Sequence, residues 1–458
     1  MKILLKNCRC FHYSPTPVTS VVHIEITDRT ITNIFDTLPA NFSSYDRTHD
    51  FTGLEVFPGS IDPHVHLSYV QGNKAVSADS FNTGSLAAIA GGTTTVMDFV
   101  EPCGTAVETI QKRVNTAKSE KCFVDYAFHF SIANVQQINL IEQAAKIERS
   151  FKIYTVYNGL KIDAAADLHS VLSEISKHKC IAMIHCENDQ VIAQNIPKVK
   201  SIEEMSTVRP TWNELEATTR VLTLAELTNC SIHIAHVSLA DQVRIINVYK
   251  NRYNHGKVTC EITGHHFILN NGLYKTHAHK EDLVMSPPLQ SEKDVLELQQ
   301  LLREGQIDYT CSDHCPFTRR QRNGDFAPFQ AEETKVERKF YEMPGGTNGI
   351  QVRFIATYST LKSANCSLEQ ISKQTSENVA ERFQLPLKGR IQVGFDADLV
   401  VVNPYLDTIF SENVRKERMD CSLFNDMKFS GKIEKVFVRG KEFGVDQLEE
   451  GSYLRKLL

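Results

Sequence analysis

Two histidines spaced i, i+2, His64-Val65-His66, follow an apolar run from Leu54 to Ile61. The run predicts a buried strand. On an extended backbone both imidazoles then point to one side, which is half of a metal site. Alone, such a pair is an ordinary core or surface feature. Further donors of suitable type recur downstream, each after an apolar stretch: His185 in Ile184-His185-Cys186-Glu187, His236 in Ala235-His236-Val237-Ser238, and Asp313 in Cys311-Ser312-Asp313-His314. Four imidazoles and a carboxylate converging at one rim could hold one or two divalent ions. Lys152, in Ser150-Phe151-Lys152-Ile153-Tyr154, is out of place in an apolar strand. A buried lysine is unfavourable unless paired or chemically altered. A neutral amine there can capture carbon dioxide as a carbamate, N6-carboxylysine. Such an oxygen ligand could bridge two metals about 3.5–4 Å apart. A lysine that snorkels to a rim is the alternative reading of the same residue.

The pattern that must position these residues alternates strand and helix. After the first strand, apolar runs at 93–100, 124–132, 150–156, 180–186, 231–237, 258–263 and 307–312 read as strands. Helical stretches separate them, for example 79–90, with Ser77 or Asp79 as cap and Gly91-Gly92 as stop. Others lie at 107–119, 135–147, 168–178, 213–228, 241–250 and 293–305. Eight such units in roughly 330 residues predict a (β/α)8 TIM barrel, which carries its chemistry at the C-terminal strand ends. Both chain ends read instead as short strands. Residues 21–26 and 29–34 form a hairpin, and 397–402 and 433–438 lie near the other end. Neither end makes a good sheet alone, so the two are expected to pair. The expected division is a small β-sandwich from 1–55 and 390–458 around a barrel at 56–389. The charge-dense loop 318–346 follows the eighth strand and is placed to cover the barrel mouth.

The 458 residues are 41% hydrophobic and 23% charged, an ordinary globular balance with ample length for a large core. A net charge of −5 gives no basic footprint for nucleic acid. No stretch approaches the roughly 18 apolar residues of a membrane span, and the first residues are too short an apolar run for a signal peptide. Twelve scattered cysteines, many within apolar runs, predict buried free thiols in a reducing, cytoplasmic setting. Neither Cys8-x-Cys10 nor Cys311-x3-Cys315 has zinc-finger spacing.

Taken together, the motifs resemble the amidohydrolase superfamily, and within it the dihydropyrimidinases and hydantoinases. The likeness runs over nearly the whole chain. Pro58-Gly59-Ser60-Ile61-Asp62-Pro63-His64-Val65-His66 is similar to the superfamily's opening signature, and Gly91-Gly92-Thr93-Thr94-Thr95-Val96-Met97-Asp98-Phe99 to its second strand. Phe151-Lys152-x4-Tyr157, Ser286-Pro287-Pro288-Leu289, Ser312-Asp313-His314-Cys315-Pro316-Phe317, Gly394-Phe395-Asp396-Ala397-Asp398-Leu399 and Leu423-Phe424-x2-Met427-Lys428-x2-Gly431 are similar to this branch. The resemblance implies that His64, His66, carboxylated Lys152, His185, His236 and Asp313 are the ligands of two divalent ions, zinc by family habit, although manganese or cobalt suits the same donors. It implies that Ser286 and Asn348 hold the substrate through backbone groups. It also implies a hydroxide between the metals attacking a ring amide, with Tyr157 donating to the oxyanion and Asp313 moving the proton to the leaving nitrogen. The product would be an N-carbamoyl amino acid and the assembly a homotetramer or dimer.

Dihydroorotases and allantoinases share that metal site. A dihydroorotase needs a cation for the substrate carboxylate, typically an arginine just after the His-x-His-Leu. Here Leu67 is followed by Ser68-Tyr69-Val70-Gln71, and strand two ends in Phe99-Val100-Glu101-Pro102, where an acid opposes an anionic substrate. Thr259-Cys260-Glu261-Ile262-Thr263-Gly264-His265-His266 pulls the other way, resembling the seventh-strand motif of dihydroorotases. Gln351-Val352 replaces an acidic pair usual in dihydropyrimidinases, and the 318–346 loop looks longer. A non-catalytic dihydropyrimidinase-like assembly protein is the alternative of another class. It is disfavoured because all six ligand positions hold competent residues.

Overall fold

Gly59 divides the first expected strand in two. The computed structural model describes residues 1–458 apart from 41, 72–74, 158, 253–256, 325–339 and 457–458. Before Gly59 the chain builds β1 (Lys2–Tyr13), β2 (Pro17–Thr27), β3 (Thr30–Phe35), β4 (Arg47–Asp50) and β5 (Glu55–Pro58). After it comes β6 (Ser60–Asp62), the first strand of a different sheet. A Cβ at position 59 would lie 2.2 Å from Thr94 Oγ1 and 2.7 Å from Asp398 Cβ, so only glycine fits where the chain passes between sheets. The sequence reads 54–61 as one strand because both halves are apolar and buried.

The second sheet contains β6, β7 (Thr93–Val100), β8 (Asp125–Ser131), β9 (Ser150–Tyr154), β10 (Ile181–His185), β11 (Ser231–Ile234), β12 (Val258–Thr263) and β13 (Tyr309–Cys311), in sequential order and all parallel. Parallel strands buried on both faces read as continuous apolar runs, which is why these eight were visible in the sequence. A parallel bridge between Val65 and His314 brings the two edges together. Asp62 reinforces the seam: its Oδ1 accepts from Ser312 N at 3.1 Å, and its Oδ2 lies 3.4 Å from Arg353 Nε. This is the expected (β/α)8 barrel. Helices such as Ala106–Ser119, Ala165–Lys177, Thr211–Thr228 and Glu292–Arg303 separate the strands. The helix Phe81–Ala90 is capped by Ser80 in a capping box with Thr83, not by Ser77 or Asp79. Asp79 is occupied elsewhere, accepting from Thr83 Oγ1 at 2.8 Å and facing His314 Nε2 at 3.0 Å.

The chain ends meet as expected. β14 (Leu399–Ile409), β15 (Lys428–Val438) and β16 (Lys441–Glu442) join β1–β5 in one mixed eight-stranded sheet, β14 pairing antiparallel with β5. That sheet has its own core, with Ile3, Ile24, Val56, Leu399 and Phe437 at its centre. A buried ionic knot ties this part to the barrel. Lys388 Nζ lies 2.5 Å from Asp125 on β8, 2.8 Å from Asp396 and 2.7 Å from Asp398. Burial disfavours the Lys388 ammonium, but the three carboxylates hold its pKa above the ordinary lysine value. The ammonium fills the space that a metal would otherwise take among those acids.

Candidate metal centre

The six donors named from the sequence sit at the C-terminal ends of five barrel strands and line one cavity of about 550 Å³. His64 and His66 follow β6, Lys152 lies in β9, His185 ends β10, His236 follows β11 and Asp313 follows β13. Asp313 Oδ1 lies 3.1 Å from His64 Nε2 and 3.2 Å from His66 Nε2. Lys152 Nζ is 3.5 Å from His64 Nε2. On the other side His185 Nδ1 and His236 Nε2 are 2.9 Å apart, and the His64 and His236 ring centres are 5.3 Å apart.

Two carboxylates behind these residues orient the rings. Glu261 on β12 places Oε1 2.5 Å from His64 Nδ1, and Glu187 places Oε2 2.7 Å from His185 Nε2. A ring that donates one N–H to a carboxylate turns the lone pair of its other nitrogen toward the cavity, the arrangement of carboxylate–histidine–metal triads. Burial pushes the imidazoles of His64, His185 and His236 toward their neutral, ligating form. Burial likewise lowers Lys152 to about 8, so its amine loses its proton far more readily than a surface lysine. Burial pushes Glu261 up, and a cation at His64 Nε2 would balance that buried carboxylate. The nitrogen lone pairs, Asp313 and the buried Glu261 thus fit divalent metal ions.

Glu187 is held differently. Burial would raise it, but Arg209 and His185 together keep it near 2. Its carboxylate pairs with Arg209 and accepts from Asn213 Nδ2 at 3.1 Å. Tyr157 stands over this corner, its ring centre 5.1 Å from that of His185. Burial pushes the Tyr157 phenol well up, so it keeps its proton and acts as a donor. Tyr157, His236 and Asp313 have φ of +86°, +33° and +47°. Such angles are unfavourable for residues with a Cβ and gather at functional sites.

Ser286 lines the cavity. Asn348 is not among the lining residues. Its amide Nδ2 donates to Ser422 Oγ at 2.8 Å and to Glu417, in the segment before β15. The His265-His266 pair is likewise outside the cavity lining. His266 Nδ1 accepts from Thr263 Oγ1 at 2.8 Å, and its Nε2–H donates to the Pro287 carbonyl at 3.2 Å, so it braces the segment carrying Ser286. Of the 318–346 loop, Tyr341 to Met343, Gly345 and Gly346 line the cavity, while 325–339 lie outside the described residues.

Sequence reasoning gave no role to Glu187, Glu261 or Arg209. Two of them carried a signal. Glu261 is an acid inside the apolar strand 258–263, as anomalous there as Lys152 in its strand. Glu187 stands two residues after His185. Arg209 comes from an irregular stretch between short helices and had no periodic signal.

The profile of the amidohydrolase family matches residues 56–443. The chain is 31% identical over 412 residues to the D-hydantoinase of Geobacillus stearothermophilus, covering 86% of this chain and 83% of that one. It is 29% identical to the dihydropyrimidinase of Rattus norvegicus, over 90% of this chain and 80% of that one. The crystal structure of the dihydropyrimidinase from Brevibacillus agri NCHU1002 superposes with a TM-score of 0.88 at 26% identity, covering 99% and 98% of the two chains. The chain belongs to the amidohydrolase family.

Proposed function

We propose that this protein is a cyclic amidase that opens a dihydropyrimidine or 5-substituted hydantoin ring by hydrolysis to an N-carbamoyl amino acid. The observation that carries the reading is the convergence of six donor residues from five strand ends on one cavity that also holds Tyr157 and Ser286. The similarity to proteins named D-hydantoinase and dihydropyrimidinase supports it.

In this reading His64, His66, N6-carboxylated Lys152, His185, His236 and Asp313 hold two divalent ions, with Zn2+ the best match to the nitrogen and oxygen donors. When bound, the ions supply Lewis acidity and an activated water. The protein's own groups do the rest. The Tyr157 hydroxyl donates to the carbonyl oxygen as it gains charge. The Asp313 carboxylate accepts the proton from the attacking water and delivers it to the ring nitrogen that leaves. A backbone group of Ser286, on the cavity wall, holds the ring amide; Asn348 is assigned to the same ring through its backbone alone, since its side chain is bound to Glu417 and Ser422 outside the lining. Glu261 and Glu187 keep His64 and His185 in one tautomer and orientation.

The same reading takes residues 56–389 as the hydrolase barrel and 1–55 with 390–458 as the accessory β domain. It also includes a homotetramer or dimer and a cytoplasmic setting, which the twelve free cysteines, mostly buried, support. The test is turnover on dihydrouracil, hydantoin, a phenyl-substituted hydantoin, dihydroorotate and allantoin. Opening of dihydrouracil or a hydantoin is the expected result. Opening of dihydroorotate or allantoin alone would reassign the substrate, and no opening by metal-loaded protein would overturn the reading.

A further inference from the structure

The cavity wall carries charge that neither the metal donors nor the reaction uses. Glu101 directly follows β7 and lines the cavity alongside His64, His66 and Lys152. It is exposed at the mouth. Its hydrogen-bonding neighbour is the Tyr69 hydroxyl, and the Tyr69 ring centre lies 5.2 Å from that of His66. Glu101 therefore stands one tyrosine away from a residue of the reacting centre.

The nearby cations are committed elsewhere. Arg113 is spent on Asp98, at 2.7 Å, and on the Leu67 and Ser68 carbonyls. Arg209, which also lines the cavity, is matched by buried Glu187. Among the described residues no lysine or arginine makes an ion pair with Glu101. Leu160, Ile192, Ile196, Met205 and Val208 also line this cavity and give it apolar surface.

We propose that Glu101 is a specificity-determining residue, which selects rings whose exocyclic arm ends in a cation, an ammonium or guanidinium, and rejects rings carrying a carboxylate. The inference rests on the ring-opening reading above and names the substrate class for that site. A carboxylate at the half-open mouth of a cavity with low-dielectric walls acts more strongly than one on open surface. It attracts a cationic arm, and it penalises an anionic one by like-charge repulsion. The apolar side chains of the cavity lining offer surface to the methylene stem of such an arm.

The test uses metal-loaded protein and two hydantoins of nearly equal shape, one with a 4-aminobutyl and one with a pentyl substituent at C5. The quantity read is the ratio of their kcat/KM values. Wild type is expected to favour the aminobutyl ring by about tenfold or more. Glu101→Gln is expected to bring the ratio near one, chiefly through KM. Glu101→Lys is expected to reverse it and to raise kcat/KM for dihydroorotate relative to the pentyl ring. A wild-type ratio of one or below overturns the proposal without any variant. A ratio that persists in both variants also overturns it. Failure of metal-loaded wild type to open either ring or plain hydantoin would contradict the ring-opening reading itself, so the two failures are distinct.

Discussion

His64 Nδ1 lies 2.5 Å from Glu261 Oε1, and both side chains are buried. The contact fixes which nitrogen of His64 faces Asp313 and Lys152. Glu261→Gln keeps the shape but removes the charge that holds the ring and balances a bound cation. Metal affinity is expected to fall about 10–100-fold, read by competition with a chromophoric chelator. An affinity equal to wild type would mean that Glu261 is a packing residue only.

Lys152 has two roles in this account, one with metal and one without. Lys152→Ala is expected to lose both bound metal and turnover, because no other group can supply the carbamate oxygen; unchanged metal content would remove Lys152 from the ligand set. In metal-free protein burial lowers its pKa to about 8 from the ordinary lysine value of 10.5. Between those values the unfolded chain holds a proton that the folded chain has lost, so stability rises with pH across the window. The penalty of the buried ammonium is therefore full below about pH 8 and relieved toward pH 10.5. Chelator-treated wild type should gain on Lys152→Met by on the order of 3 kcal/mol over that range, measured by urea unfolding. A difference independent of pH would contradict this.

Asp313 and Tyr157 are separable by kinetics. Asp313→Asn retains most of the metal yet is expected to lose about 10²–10⁴ in kcat, the usual range for a proton-transfer group. Tyr157→Phe removes one donor to the oxyanion and is expected to lose about 10²–10³ in kcat with a smaller change in KM. Near wild-type kcat in either variant would exclude the role given to that residue.

Lys388 tests the junction between barrel and terminal sheet. Lys388→Met leaves Asp125, Asp396 and Asp398 without their shared ammonium, although Arg439 still meets Asp125 at 2.9 Å. A loss of about 3–5 kcal/mol is expected from breaking a buried charge network on one side, measured by urea unfolding at neutral pH. A loss below about 1 kcal/mol would mean that the acids take up protons or admit water.

The barrel was legible because its strands are buried on both faces. The run 93–100 coincides with β7 and 258–263 with β12. The six donors were legible because each interrupts or ends such a run. The division at Gly59 was not, since Val56 and Ile61 are equally apolar and only the close approach of Thr94 and Asp398 reveals the change of sheet. Nor was the length of β1, whose pairing with β2 shifts register between Leu5 and Cys8. The Arg209–Glu187 pair joins residues 22 apart through a segment of short helices, where periodicity carries no information. His265-His266 shows the converse. A motif similar to that of another branch can be filled by histidines outside the cavity lining, His266 hydrogen-bonding to Thr263 and the Pro287 carbonyl instead.

The proposed function stands on six side chains that hold two divalent ions in one cavity. Metal content by mass spectrometry, together with hydantoin and dihydrouracil turnover on the same sample, tests it most directly. About two divalent ions per chain are expected, with activity that is lost on chelation and restored by zinc with bicarbonate. Protein that binds no metal, or that binds two ions and opens neither ring, would contradict it.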